Sequence, residues 1–122
     1  MIAPVRPHSR IVVVDAHPND YDTIAHSPEF NHCEFQFHRD GRSALRDDDR
    51  EYPELCVINM NLPDMSGLDL YEMVNERWPG VPVYMVGDDY RPEDEVQARI
   101  SGATFYFCKP LQCEWLAATA AG

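Results

Sequence analysis

Five short apolar runs, separated by polar stretches of helical length, limit the folds that this chain can adopt. They are rich in the β-branched and aromatic residues that favour strands, and they span 11–15, 33–37, 55–59, 81–86 and 104–107. Strands that alternate with helical segments predict a parallel sheet with crossover helices. The runs at 11, 55 and 81 are almost continuously apolar, which is typical of strands covered on both faces. The run 33–37 alternates instead and predicts an edge strand.

The polar stretches carry helical patterns of unequal strength. The clearest begins at Ser66, with Asp69 three residues later as in a capping box, and ends at residues 79–80, Pro-Gly. Its apolar positions, at helical spacing, are Leu70, Val74 and Trp78.

Weaker patterns predict helices over 18–26 and 41–50, and a last helix from Gln112 onward. A further helix is predicted between the fourth and fifth runs, with Val96 and Ile100 as its inner stripe. Charged residues recur every four positions on another face of this helix, which we expect to meet water or a partner. They are Arg91, Glu95 and Arg99.

Composition indicates one soluble, cytoplasmic domain. The 122 residues are assigned to an N-terminal tail, 1–9, and a domain, 10–122. A net charge of −11 opposes polyanions, so we expect no direct binding of nucleic acid and no insertion into membranes. No apolar stretch is long enough for a signal peptide or a membrane span. The four cysteines contain no CxxC pair, which speaks against a metal cluster.

Polar and small residues follow the predicted strands at their carboxyl ends, where open parallel sheets place their ligand chemistry. We therefore regard them as the candidate site. They are Asp15, Ala16 and His17 after the first strand, Asn59 at the end of the third, Gly87 and Asp88 after the fourth, and Lys109 after the fifth.

Four segments, VVVDAHP, INMNLPDMSG, VPVYMV and GATFYFCKP, resemble the landmarks of response-regulator receiver domains in order and spacing. The resemblance covers nearly the whole chain. It implies an α/β, flavodoxin-like sheet of five parallel strands in the order 2-1-3-4-5, with helices on both faces. It also implies a role in two-component signal transduction.

The resemblance further implies roles for the residues at the strand ends. In the family, paired acids at positions 15 and 16 hold a magnesium ion, and an aspartate at position 59 accepts a phosphoryl group from a histidine kinase. A Ser or Thr at position 87 and a lysine at position 109 contact the phosphoryl oxygens, and an aromatic at position 106 changes rotamer. Asp15, Lys109 and Tyr106 fit this pattern, whereas the chain departs from it at Ala16, Asn59 and Gly87.

The departures fall on the groups that perform the family's chemistry. The neutral amide of Asn59 is not the carboxylate nucleophile that an acyl phosphate needs, so phosphotransfer at this position should fail. A pocket that keeps one of three carboxylates should bind Mg²⁺ poorly, and Gly87 has no hydroxyl to follow a phosphoryl oxygen. We therefore predict an atypical receiver with no catalytic residue, no metal and no cofactor, which is not an enzyme.

Lys109 is predicted to pair with Asp15 or to bond Asn59, because an acid and a base that face each other need no added cation. Asp88 is interpreted as a turn residue of the Gly-Asp-Asp sequence at 87–89, in preference to a carboxylate that returns to the pocket.

Three other residues have two interpretations each. His17 is taken as a solvated loop histidine in preference to a metal ligand. Asp64 is taken as a loop residue in preference to a replacement phosphoacceptor. Tyr106 is taken to keep one rotamer, since the hydroxyl to which a switch aromatic would couple is missing.

Three classes of function stay open. The leading hypothesis is a non-catalytic protein-interaction module that docks on a sensor kinase or an effector domain, or forms a homodimer. Its interface candidates are Arg91, Glu95, Arg99 and Tyr106. The alternatives are a receiver phosphorylated on a non-standard acid, and a flavodoxin-like binder of small molecules. The absence of a glycine- or Ser/Thr-rich phosphate loop after Asp15 speaks against the last.

Overall fold

The computed structural model describes residues 9–46 and 52–112 and confirms the predicted α/β class. The strands are β1 (Ser9–Val14), β2 (Cys33–His38), β3 (Leu55–Asn59), β4 (Val83–Gly87) and β5 (Phe105–Cys108). All five are parallel and form one sheet in the order β2-β1-β3-β4-β5. This is the predicted flavodoxin-like order, which reverses direction between β1 and β3.

The central strands are buried on both faces, as their continuous apolar character predicts. In β1, Val12 and Val14 belong to one core cluster, and Ile11 and Val13 belong to the cluster on the opposite face. Every residue of β3 and β4 is buried. Strand β2 lies at one edge of the sheet, where exposed residues interrupt half-buried ones, so the edge prediction is confirmed.

The helices only partly match their predicted bounds. They are α1 (Asp22–Ala25), α2 (Gly41–Leu45), α3 (Gly67–Arg77) and α4 (Pro92–Ser101), with 3-10 turns at Pro18–Tyr21 and Pro28–Phe30. The pattern over 18–26 is divided into a 3-10 turn and a single α-helical turn. Residues 1–8 and 47–51 and the predicted last helix lie outside the described residues. Within 9–46 and 52–112, no helix combines the length and the apolarity needed to cross a bilayer.

Helix α3 begins and ends where the sequence predicts. The Ser66 hydroxyl accepts a hydrogen bond from the Asp69 backbone N–H at 3.1 Å, which caps the first turn. Leu70 and Val74 are buried against the sheet, and Trp78 follows the last helical residue. The helix therefore covers β3 and orients the loop that joins them.

The predicted inner stripe of α4 is wrong. Val96 is 52% exposed and Ile100 is 74% exposed, whereas Ala98 is fully buried. Ala98 lies two positions from each of them, which places it on the opposite side of a helix with 3.6 residues per turn. A small residue lets the helix approach the sheet, and the two larger apolar side chains are left on the outer surface. Apolar spacing predicted the helix but not the face that is buried.

Candidate functional site

Four of the predicted residues meet at the carboxyl edge of the sheet. Asp15 follows β1, Asn59 closes β3, Asp88 follows β4 and Lys109 follows β5. Parallel strands end at the same edge, so side chains distant in sequence converge there. Asp15 and Asn59 are each 1% exposed and are the buried polar residues of the described core. Buried polar groups require partners, and these two are bonded to their neighbours.

The Lys109 ammonium lies among three carboxylates. Its Nζ is 3.0 Å from Asp15 Oδ2, 2.9 Å from Asp88 Oδ1 and 2.7 Å from Asp20 Oδ2. The predicted pair with Asp15 is therefore present. Burial tends to lower the pKa of Lys109, but the hydrogen bonds to the three carboxylates outweigh it and raise the pKa above its ordinary value. The side chain is only 13% exposed and stays charged at neutral pH.

Asn59 uses its whole amide inside this cluster. Its Nδ2 donates to Asp15 Oδ2 and to Asp88 Oδ1, each at 3.0 Å. Its Oδ1 accepts the backbone N–H of Asn61 at 2.8 Å. An amide offers two N–H donors, and here each meets a carboxylate. An aspartate at position 59 would place a third carboxylate at similar distances from Asp15 and Asp88, with no N–H group to donate to either.

The Asp15 carboxylate is saturated with donors from the protein. Besides Asn59 and Lys109, Oδ2 accepts the Tyr21 hydroxyl at 2.9 Å, and Oδ1 accepts the His17 backbone N–H at 2.8 Å. Tyr21 is 2% exposed, and its pKa is raised first by burial and then by the nearby charge of Asp15. Four donors on one carboxylate leave it little capacity for a further ligand.

Two members of the cluster, Asp20 and Tyr21, were not among the predicted site residues. Both lie in the 3-10 turn that follows β1 and starts at Pro18. A turn so close to the end of a strand returns its side chains to the carboxyl edge. That proximity to Asp15 in sequence is the signal that could have identified them.

The interpretation of Asp88 as a turn residue alone is wrong. Its Oδ1 contacts both Lys109 and Asn59, so the residue returns a carboxylate to the pocket. Burial tends to raise the pKa of Asp88, but the hydrogen bonds from Lys109 and Asn59 outweigh it and lower the pKa. Because β4 ends at Gly87, the next side chain emerges at the carboxyl edge and is 47% exposed there.

The donor set does not fit the magnesium ion that the family resemblance implies. Mg²⁺ requires oxygen ligands with free lone pairs in an octahedral array. Ala16 offers none, and the Asp15 oxygens already accept four hydrogen bonds. The Lys109 ammonium lies where the carboxylates converge and would repel a second cation.

The His17 side chain is 71% exposed with Nδ1 3.9 Å from Asp15 Oδ1, in keeping with a loop histidine.

Asp64 lies apart from this cluster and performs a structural role. Its two carboxylate oxygens accept the backbone N–H groups of Gly41 and Arg42, each at 2.9 Å, at the start of α2. Burial tends to raise the pKa of Asp64, but these backbone hydrogen bonds outweigh it and lower the pKa. The interpretation as a loop residue is thus supported, because the loop after β3 is tied to α2 through it.

The predicted interface residues occupy α4 and the neighbouring strand. Arg99 pairs with Glu95 at 3.2 Å on the outer surface of α4, and the Tyr90 hydroxyl donates to Glu95 at 3.0 Å. Arg91 is exposed and immediately precedes the helix. Tyr106 is half-buried against the core and contacts Tyr90, with ring centroids 6.5 Å apart. Tyr90 therefore links Glu95 on α4 to Tyr106 on β5.

Comparisons with known proteins agree on one family for this chain. The model of the response regulator receiver domain matches residues 11–121. The probable transcriptional regulatory protein TcrX of Mycobacterium tuberculosis is 29% identical over 104 residues, which are 85% of this chain and 44% of TcrX. The regulatory protein LuxO of Vibrio cholerae is 32% identical over 79 residues, 65% of this chain and 17% of LuxO. The chain thus spans less than half the length of either relative.

Solved structures agree with the fold. A CheY-like response regulator receiver domain protein from Methanospirillum hungatei superposes with a TM-score of 0.78 at 26% sequence identity. The match covers 93% of this chain and 90% of that one. The similarity therefore extends across the sheet and its helices and is not confined to the strand ends.

Proposed function

Because this chain belongs to the response regulator receiver domain family of two-component signalling, we propose that it is an atypical receiver that signals by binding a protein partner without being phosphorylated. The observation that carries the proposal is the closed hydrogen-bond network of Asn59, which bridges Asp15 and Asp88 while Lys109 neutralises both.

The network leaves the family's acceptor position without a nucleophile. Both N–H groups of Asn59 are donated to carboxylates, and an amide is a poor nucleophile at neutral pH. Lys109, which would stabilise a transferred phosphoryl group, is already bound by three carboxylates. The pocket is complete without a ligand, so the proposed domain has no catalytic activity of its own and needs no cofactor.

Asp88 supports a second candidate function, phosphorylation on a non-standard acid. Asp15 is almost wholly buried and saturated with donors, whereas Asp88 is 47% exposed and lies beside Lys109. An incoming phosphodonor would therefore meet Asp88 first. Against this, Oδ1 of Asp88 holds Lys109 and Asn59, and the bound cation lowers the nucleophilicity of the carboxylate along with its pKa.

The partner is proposed to bind the outer surface of α4, where Val96 and Ile100 lie exposed beside the Glu95–Arg99 pair. Apolar side chains rimmed by charges are typical of protein interfaces. The net charge of −11 favours a partner with a basic surface and disfavours direct nucleic-acid binding. A sensor kinase or an effector domain with a basic surface would satisfy both requirements in the cytoplasm. A second copy of the chain carries the same net charge of −11 and would have to bind through the apolar side chains.

The decisive experiment is incubation with acetyl phosphate and Mg²⁺ followed by intact-mass measurement. We expect no added phosphoryl group on the wild-type protein. The double variant Ala16→Asp/Asn59→Asp restores the acids of the family pattern and serves as the control that accepts phosphate. Phosphorylation of the wild type would overturn the proposal, and its loss in Asp88→Asn would establish the second candidate instead.

The proposed surface is tested by a photo-crosslinking amino acid at position 100, with the same group at position 73 as the matched control. Ile100 and Met73 are both exposed apolar residues, on α4 and α3 respectively. We expect a crosslinked partner, or a crosslinked dimer, from position 100 only. Equal crosslinking from both positions, or from position 73 alone, would contradict the assignment of the surface to α4.

A further inference from the structure

The two edge strands of the sheet differ in how well they are protected. Edge strands are usually blunted by short length, lysine, proline, a bulge or inserted charge. Strand β5 has four residues and is followed at once by Lys109 and Pro110. Strand β2 has six residues, pairs with β1 in an unbroken register and carries a single carboxylate, Glu34. The β2 edge is therefore the one that is open to a further strand.

Alternate residues of β2 direct their backbone groups away from the sheet. The His38 carbonyl accepts the Asp15 N–H at 2.9 Å, so the backbone of His38 faces β1. The backbone groups of successive strand residues point to opposite sides, so those of Phe35 and Phe37 face outward. Within 9–46 and 52–112, β1 is the only strand that pairs with β2. Phe35 and Phe37 thus offer N–H and C=O groups to another strand.

Apolar surface lies directly beside this open backbone. The Phe35 and Phe37 rings stack on one face of the sheet, with centroids 6.1 Å apart and an interplanar angle of 15°. The Tyr21 ring contacts Phe37 at 6.2 Å, yet Phe37 stays 37% exposed. Helix α1 is only four residues long and leaves this ring uncovered. A strand added to β2 would cover it.

We infer that the β2 edge binds the β2 edge of a second copy of this chain, antiparallel and about a two-fold axis at Gln36. In this register Gln36 lies opposite its own copy, and Phe35 lies opposite Phe37. Each Phe35–Phe37 pair exchanges two N–H···O hydrogen bonds, because both residues face outward. Such an interface is self-complementary, as two-fold symmetry requires. It goes beyond the proposed function, since β2 and β5 lie at opposite edges of the sheet and α4 packs beside β5.

The charges at this edge favour a second copy. Glu34 lies opposite His38 in the paired strands, so no carboxylate faces another directly. The carboxylates of Glu34 and Asp40 are matched by two guanidinium groups, of Arg39 and of Arg10, the β1 residue paired with Glu34. The edge is therefore close to neutral although the chain carries −11. The two cross-strand phenylalanine pairs add favourable aromatic contacts across the axis.

A disulfide at the two-fold axis tests both the pairing and its register. Gln36 and its copy form a non-hydrogen-bonded pair with Cα atoms about 4.5 Å apart, within the range of a disulfide. We expect mild oxidation of the full-length Gln36→Cys variant to give a disulfide-linked dimer that dithiothreitol reverses.

Glu34→Cys is the matched control for this crosslink. It lies on the same strand and face, but its copy is about 14 Å away, too far for a disulfide. The wild type, with its four cysteines, gives the background. Dimer yield at position 36 no greater than at position 34 or in the wild type would overturn the inference.

Sedimentation equilibrium measures the association itself. A six-residue strand pair buries less area than a permanent interface, so the full chain is measured from about 10 μM to about 1 mM. Salt of about 0.5 M screens the like net charges of the two copies. We expect Phe37→Lys to raise the dimer dissociation constant about tenfold or more, because two aromatic pairs are lost and two charges are introduced.

Two exposed apolar residues on other surfaces are the controls for this measurement. Met73→Lys on α3 and Ile100→Lys on α4 should leave the dissociation constant unchanged. A wild type that is monomeric throughout, or a dimer that Phe37→Lys does not weaken, would overturn the inference. Dimerisation lost in Ile100→Lys alone would place the contact on α4, which keeps the proposed docking surface and refutes the β2 edge. If Phe37→Lys does not fold, the crosslink at position 36 decides, since it leaves Phe37 in place.

Discussion

Replacing Lys109 with methionine removes the one ammonium that three carboxylates share, while keeping a side chain of similar length. The Asp15 contact is the largest contribution, because Asp15 is 1% exposed and would lose its cationic partner inside the protein. Breaking a buried pair from one side costs about 3–5 kcal/mol. Asp20 and Asp88 are about half exposed, so each adds only about 0.2–1 kcal/mol. We therefore expect Lys109→Met to lose about 3–7 kcal/mol of unfolding free energy at neutral pH.

The pH dependence of this loss follows from the direction of two pKa shifts. Asp88 has a lowered pKa, so its contribution is present above the ordinary value of 3.8 and is lost as the pH falls through its folded value. Lys109 has a raised pKa, so its contribution is present below the ordinary value of 10.5 and is lost as the pH rises through its folded value. The difference between wild type and variant should be largest between these limits and shrink toward acid.

The assay is urea unfolding followed by circular dichroism at about pH 2 and about pH 7, with the slope checked for two-state behaviour. Arg99→Met is the matched control, since Arg99 is 76% exposed and pairs with Glu95 one turn away. Such a pair contributes about 0.3–0.5 kcal/mol. If Lys109→Met cost no more than Arg99→Met, or cost the same at both pH values, the Lys109 cluster would not be holding the pocket together.

Two further contacts give smaller predictions, each checked by urea unfolding. Tyr21→Phe removes one donor from Asp15 without emptying the core, and should cost about 1.5–3 kcal/mol, as for a hydrogen bond to a charged group. Tyr52→Phe, at a tyrosine that is 49% exposed, is its control and should be nearly neutral. Asp64→Ala removes the acceptor for two N–H groups of α2 and should cost about 0.5–2 kcal/mol. Because the pKa of Asp64 is lowered, this cost should fade as the pH drops below about 4.

The sheet was predictable because strands that are buried on both faces need apolar residues at successive positions, and such runs can be recognised in the local sequence. The runs at 11–14 and 55–58 are apolar at successive positions, as expected for strands covered on both faces. The buried face of helix α4 was harder to predict, because Val96 and Ile100 define an apolar stripe but do not show whether that stripe faces the sheet or the solvent. The buried face is set by Ala98, whose small size gains little from burial but permits close approach to the sheet. That choice depends on tertiary packing and is not visible in the periodicity.

The pocket residues that lie at the end of a strand were predictable. Those that a turn returns to the carboxyl edge of the sheet were not. Asp15, Asn59 and Lys109 follow from strand position alone, and the Asp15–Lys109 pair follows from their charges. Asp20 and Tyr21 reach the pocket through a 3-10 turn whose geometry the pattern over 18–26 did not reveal. Partners supplied by such turns depend on backbone geometry and are not specified by residue type.

The departures from the family pattern at Ala16 and Asn59 have one electrostatic explanation, because each avoids an additional negative charge in the pocket. The pocket holds three carboxylates, one ammonium and one amide that bridges two of the acids. A carboxylate at position 16 would add a fourth negative charge with no cation to match it, since Lys109 is already engaged. A carboxylate at position 59 would both add charge and remove two donors. Either reversal alone is therefore unfavourable, and accommodating both would require an added cation. The two departures together are what the proposed ligand-independent pocket requires.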